Sequence, residues 1–290
     1  MDYTLHEWVR MASHHGSIAR CAIEKQAEES GLDALAVREK MRHHLRVMQE
    51  AAQQGLDERL RSVTGLTGGQ AALMMKRLQA GKCLAGNLLG KAEVYALATA
   101  ECNGCMGKIV AAPTAGACGI LPGAVLAMME EKGATEEQAV DALFVAAAVG
   151  QAIATQASIS GAEGGCQAEV GAASAMAAAA LCHLKGGAPE QCAAAAAMAL
   201  GNLLGLVCDP VAGLVEVPCV KRNVVGAVNA VACANMALAG VDSAFPCDEV
   251  IDAMGRVGSL LSPDLRETGQ GGLAATPTGV RIAQPLAEQG

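Results

Sequence analysis

A chain of 290 residues with a net charge of −8, 52% apolar residues and only 2% aromatics can build one large domain or two modest ones. It has no block of Lys and Arg long enough to track a phosphate backbone, which excludes nucleic acid as a partner. The most membrane-like stretch, 193–207, is Ala-rich, contains Asn202 and is too short to span a bilayer, so no membrane association is expected.

Residues 1–60 are the most charged part of the chain. MDYTLHEWVRMASHHG carries acids and histidines and lacks an apolar h-region, so it does not read as a signal peptide and a cytoplasmic protein is expected. Glu28-Glu29-Ser30-Gly31 reads as a helix end and turn, and MRHHLRVMQEAAQQGL as an amphipathic helix ending near Gly55. Leu66-Thr67-Gly68-Gly69 is a turn before a helical run over 70–78. From about Lys91 the chain becomes Ala-rich, with Gly and Pro breaks at 112–122, 160–165, 186–189, 209–218 and 262–263. Helices are predicted between them, over 136–155, 167–184, 190–206, 222–239 and 248–260, because the apolar spacing suits a period of 3.6 better than 2. Together these elements predict an all-α fold. Its central helices, Ala-rich on every side, should be buried, and its Gly/Pro loops should gather at the site. Residues 1–290 read as one domain, with room for a small helical N-terminal lobe over about 1–60.

Three segments carry residues suited to chemistry. In SGAEGGCQAEV a Gly-rich turn delivers Cys166 to a helix start, where free N–H groups and the helix dipole favour a thiolate; a buried Cys beside a tight turn is the competing reading. CDPVAGLVEVPC places Cys208 and Cys219 at the two ends of a loop bounded by prolines, with a spacing far wider than a zinc knuckle. Three such cysteines on a [4Fe–4S] cluster would leave one iron open for Lewis-acid chemistry. The third segment, CNGCMGK followed by PTAGACG, contains a lone CxxC and then a loop in which Thr114 and the following N–H groups could cradle a small carboxylate; a plain helix–helix turn fits as well. The remaining cysteines suit a core, and disulfides are not expected in a chain without an export signal. His43 and His44 are expected to face solvent and His183 to mark a helix C-terminus. The sequence offers no Ser-His-Asp order, no P-loop and no dinucleotide fingerprint.

At residues 62–71 (SVTGLTGGQA), 106–121 (MGKIVAAPTAGACGIL), 163–174 (EGGCQAEVGAAS), 208–228 (CDPVAGLVEVPCVKRNVVGAV) and 265–279 (LRETGQGGLAATPTG) the chain resembles the iron–sulfur-dependent L-serine dehydratase family, specifically its α chain. These segments run in the family's order and span most of the chain. The resemblance implies that Cys166, Cys208 and Cys219 bind a [4Fe–4S] cluster. It also implies that Asn103, Thr114, Ala115 and Gly116 line the pocket for L-serine, which is dehydrated to aminoacrylate and then yields pyruvate and ammonia. It implies a separate β chain as partner and an oligomeric assembly, and it leaves the general base unassigned. Cys105 stands where the family commonly has a small residue or serine. A threonine deaminase, a cysteine desulfidase or a non-catalytic cluster-binding subunit would share the same cysteines.

Overall fold

The computed structural model describes residues 3–287. Among them it contains thirteen α-helices and no strand, as the periodicity predicts. The first three are α1 (Leu5–His15), α2 (Ile18–Ser30) and α3 (Ala34–Gly55). Thr4 and Glu7 close a capping box on α1, and Gly31 ends α2 in the left-handed conformation that glycine adopts at least cost. Then come α4 (Gln70–Gln79), α5 (Asn87–Gly104), α6 (Ile120–Lys132) and α7 (Glu136–Gln156). The C-terminal half holds α8 (Gly161–Gly164), α9 (Ala172–Leu184), α10 (Pro189–Gly201), α11 (Cys219–Leu238), α12 (Cys247–Leu260) and α13 (Pro277–Ala287).

The core is built around α9. Every residue from Ala172 to Cys182 is buried, so this helix has no solvent face. It packs against α6, α7, α10 and α11, while α5 packs against α3, α4, α6 and α11. Alanines and glycines let the axes approach until backbone meets backbone. A Cβ on Gly55 would lie 1.9 Å from the Ala98 carbonyl oxygen, and one on Gly119 would lie 2.2 Å from that of Ala96. The charged N-terminal helices pack on this body, α2 and α3 against α7 and α3 also against α5. Asp248 on α12 caps α1 from across the chain. It accepts from the Leu5 and His6 N–H groups at 2.8 and 2.9 Å and from the Gln156 amide at 2.9 Å.

Several boundaries differ from the sequence expectation. The stretch 193–207 is not one helix, because α10 stops at Gly201 and the chain turns back toward Gln167, whose N–H donates to the Leu206 carbonyl at 2.9 Å. Among the described residues the helix long and apolar enough to cross a membrane is α7 instead, and 67% of its most apolar window is buried inside the protein. The break at 160–165 contains the short turn α8, and residues Gln167–Gly171 form a π-helical turn before α9. A local widening of this kind is frequent at functional sites, and no 3.6-residue periodicity reveals it. Asn103 lies in the last turn of α5, not in a loop. His43 and His44 are exposed, and His183 sits in the last turn of α9, as expected.

Candidate functional site

Cys166 lies between α8 and the π-helical turn, one residue past Gly165, Cys208 lies in the irregular segment after α10, and Cys219 opens α11. All three are buried. Their thiols lie close enough for each charge to act on the next: Cys166 and Cys219 both raise Cys208, and Cys166 raises Cys219. Burial is the larger cause in each case. It pushes Cys166 up to about 11 and Cys219 up to about 12, and it moves Cys208 further in the same direction. The thiolate expected at Cys166 from its helix-start position is therefore not what the chain alone favours. The Val170 N–H and the Arg222 guanidinium both stabilise the Cys166 anion, but desolvation outweighs them.

Arg222, in the first turn of α11, joins the segments that carry these cysteines. It donates to the Val207 carbonyl at 2.8 Å, pairs with the buried Asp209 carboxylate at 2.8 Å, and its charge reaches the Cys166 thiol. Asp209 in turn accepts from the Leu273 N–H at 2.7 Å. Gly272 has φ +59° and lies so close that a Cβ there would sit 2.4 Å from Asp209 Oδ2, which accounts for a glycine at this point of the LRETGQGG segment. Beside it the Cys208 N–H donates to Leu265 at 2.9 Å and the Glu267 N–H donates to Cys208 at 2.8 Å. The C-terminal segment is thus clamped over the cysteine loop.

Of the substrate-pocket residues expected from the sequence, Thr114, Ala115 and Gly116 form one loop and Asn103 abuts it, donating to the Ala115 carbonyl at 3.1 Å. The fully buried Asn223 fixes this loop to α11. Its amide donates to Gly116 at 2.8 Å and to Cys219 at 2.9 Å, and its oxygen accepts from the Gly119 N–H at 2.8 Å. The Thr114 hydroxyl donates to Glu169 Oε1 at 2.8 Å, and Glu169 Oε2 lies 3.8 Å from the Cys208 sulfur. The pocket loop and the cysteines are therefore adjacent, and Glu169 on the π-helical turn is the bridge. Sequence reasoning quoted Glu169, Arg222, Asp209 and Asn223 inside motifs without giving them roles. A carboxylate three residues after Cys166 was the available signal.

Two more buried carboxylates hold the SVTGLTGG loop nearby. Glu101 accepts from the N–H groups of Gly68, Gln70 and Ala71, and Glu216 accepts from the Ser62 and Thr64 hydroxyls at 2.6 and 2.7 Å. Both also raise the Cys105 thiol, which burial and these charges push up to about 11. A cavity of about 490 Å³ lined by Trp8, Lys25, Met41 and Phe144 lies between helices that carry none of the three cysteines, so the chemistry does not follow the cavity.

Comparison with known proteins covers most of the chain. The family described as serine dehydratase alpha chain matches residues 13–274. The chain belongs to this family. It is 57% identical over 248 residues to the probable L-serine dehydratase alpha chain of Bacillus subtilis, covering 86% of this chain and 82% of that one. With the L-serine dehydratase alpha chain of Peptoniphilus asaccharolyticus it shares 41% identity over 288 residues, 99% of each chain. L-serine dehydratase 2 of Escherichia coli is 38% identical over 274 residues, 87% of this chain but 60% of that longer protein. The family match contains the segments 62–71, 106–121, 163–174 and 208–228 whole and the segment 265–279 as far as residue 274.

Proposed function

We propose that the protein is the α chain of an L-serine dehydratase, that it converts L-serine to pyruvate and ammonia, and that Cys166, Cys208 and Cys219 hold a [4Fe–4S] cluster for that reaction. The observation that carries this reading is that three buried thiols from separate segments lie within electrostatic reach of one another, and that Glu169 links Cys208 to the Thr114–Gly116 loop.

The donor set fits such a group. A single tetrahedral zinc draws its sulfurs to about 3.8 Å of one another, given a metal–sulfur bond of about 2.3 Å. Among the described residues no three His, Cys, Asp or Glu side chains are gathered to hold one ion. A cube of four irons and four sulfides is wider and takes its thiolates at separate corners. Three thiols without a fourth leave one corner for substrate. Gly161 brings bare backbone close to this face: a Cβ there would lie 3.0 Å from the Cys208 sulfur and 2.7 Å from Glu169 Oε2, so a side chain at 161 would intrude on the donor set.

When bound, the cluster supplies a Lewis-acidic iron that makes hydroxide a feasible leaving group. The chain's own residues do the rest of the positioning. Arg222 holds the Cys166 and Asp209 segments together, and its positive charge offsets part of the thiolate charge. Asn223 fixes the Thr114–Gly116 loop against Cys219, and Asn103 supports the same loop at Ala115. Burial of the three cysteines keeps bulk water from their thiols. No group of this chain is assigned as the base that takes the α proton. Relatives named as alpha chains imply a separate β chain, and we place that base, with the closing wall of the pocket, on the β chain.

The test is an anaerobic assay of pyruvate release from L-serine by the α chain with and without the β chain, with iron and sulfide quantified. Cluster-loaded protein is expected to release pyruvate in the presence of the β chain. Cys166→Ala, Cys208→Ala and Cys219→Ala are each expected to lose both cluster and activity. Full cluster content in all three variants would refute the ligand assignment.

A further inference from the structure

We infer that Glu169 is the residue that receives the α-ammonium group of the substrate, so that the chain selects α-amino acids over hydroxy acids of the same length. The inference rests on the functional reading above and deepens it by assigning one substrate group to one side chain.

Four observations point to Glu169. First, its position: it is half-buried on the π-helical turn, with one carboxylate oxygen on the Thr114 hydroxyl and the other facing the Cys208 sulfur. It therefore lies between the pocket loop and the proposed cluster corner. Second, space: the two backbones that face it are glycines. A Cβ at Gly116 would lie 3.1 Å from Oε1 and one at Gly161 would lie 2.7 Å from Oε2, so any other residue at either position would crowd the carboxylate. Third, charge: among the described residues no Lys or Arg forms an ion pair with Glu169. The cation of the neighbouring segment, Arg222, is committed to Asp209. The charge acting on Glu169 is the like-charged Glu267, and Glu169 in turn acts on all three cysteines. A buried carboxylate without a cation is costly, and the cost falls when a ligand brings one. Fourth, complementarity: L-serine carries one carboxylate, one hydroxyl and one ammonium. The first two suit a Lewis acid. The ammonium needs an acceptor, and a carboxylate beside that corner is the group that matches it.

Thr114 has a defined part in this arrangement. Its hydroxyl holds Oε1 and leaves Oε2 as the oxygen turned toward the cluster side. Glu169 thus acts as a binding residue, in direct contact with substrate, and Thr114 as the residue that positions it.

The experiment compares wild type and Glu169→Gln, each reconstituted anaerobically with the β chain. Iron and sulfide per chain are measured, and so is binding of L-alanine and of propionate, read by perturbation of the cluster's electronic spectrum. These probes differ only in the ammonium group, and neither carries a leaving group. Wild type is expected to prefer L-alanine over propionate by about tenfold or more, the size of one charge-assisted hydrogen bond. Glu169→Gln is expected to lose that preference, to bind propionate within about twofold of wild type, to raise the KM for L-serine more than it lowers kcat, and to keep its iron and sulfide. Glu169→Asp, with the charge drawn back by one methylene, is expected to retain part of the preference, so the result does not hang on a single variant. An undiminished L-alanine preference in Glu169→Gln overturns the assignment. Loss of iron and sulfide from Glu169→Gln also overturns it, because the residue would then serve the cluster and not the substrate. A wild-type protein that takes up no iron and sulfide refutes the functional reading itself, and this inference with it.

Discussion

A carboxylate with no solvent exposure must be answered by donors inside the protein, and Glu101 is answered almost entirely by backbone. Three N–H groups, from Gly68, Gln70 and Ala71, point at its two oxygens at 2.9 to 3.1 Å, and the Thr67 hydroxyl adds a longer contact. Two of those donors open α4, so the side chain of α5 does for α4 what a local cap would otherwise do. Glu101→Ala removes the acceptor and leaves buried N–H groups unpaired. It is expected to destabilise the chain by about 3 kcal/mol or more, since each unpaired buried group costs about 1–3 kcal/mol. Glu101→Gln keeps one acceptor oxygen and should cost less. Urea unfolding of both variants measures this, and a loss below about 1 kcal/mol for the alanine variant would contradict the role. Nothing in the sequence marked Glu101, because a lone Glu in an Ala-rich helix reads as a solvated residue until the loop that folds over it is known.

At the scale of elements, the helices were legible and their irregular ends were not. Periodicity and punctuation located α4, α7, α11 and α12 to within a few residues, and the end of α3 at Gly55 though not its start at Ala34, because Gly and Pro act locally. The end of α10 and the π-helical turn at Gln167–Gly171 escaped because both answer a tertiary demand. The Gly205 N–H donates to the Gln167 side chain at 2.9 Å, and the Leu206 carbonyl accepts from the Gln167 backbone. Propensity would have continued α10; this long-range pairing turns the chain instead. The close packing of α9 leads to a second expectation. Ala177 is fully buried on a helix enclosed by four others. Ala177→Leu adds a bulky side chain where no space exists, and it is expected to cost about 1–3 kcal/mol or more by overpacking, read as a lower urea midpoint at unchanged m-value. The clamp on the C-terminal segment makes a third. Asp209→Ala removes the acceptor for Leu273 and strands Arg222. Hydrogen exchange should rise at residues 265–273 and at the start of α11 while α1–α3 stay protected. Equal protection in both proteins would show that Asp209 does not hold that segment.

Across the whole molecule, the site is assembled from segments far apart in the chain: the SVTGLTGG loop, the end of α5 with the PTAG loop, the turn at Cys166, the 208–223 segment and the LRETGQGG segment. Each was readable as a motif, and the family resemblance joined them, but no spacing rule placed Glu169 between Thr114 and Cys208. Burial does not single out the proposed ligand cysteines either, since all twelve except Cys83 and Cys105 are buried. Cys21, Cys182, Cys192 and Cys233 lie inside regular helices, whereas Cys166 and Cys208 lie where the backbone is irregular and Cys219 where a loop becomes a helix. Irregular backbone can aim three thiols at one point, which a single straight helix cannot do. The difference is testable on the intact protein. Cys21→Ala and Cys233→Ala remove equally buried thiols remote from Arg222 and Glu169, so anaerobically reconstituted protein should keep its iron and sulfide in both. Cys166→Ala, Cys208→Ala and Cys219→Ala should each lose most of theirs, and the open corner should make wild type shed iron in air. If iron loss were the same for the helix-embedded cysteines as for these three, or if aerobic desalting left wild-type iron untouched, the cluster would have to sit elsewhere or be closed by a fourth ligand.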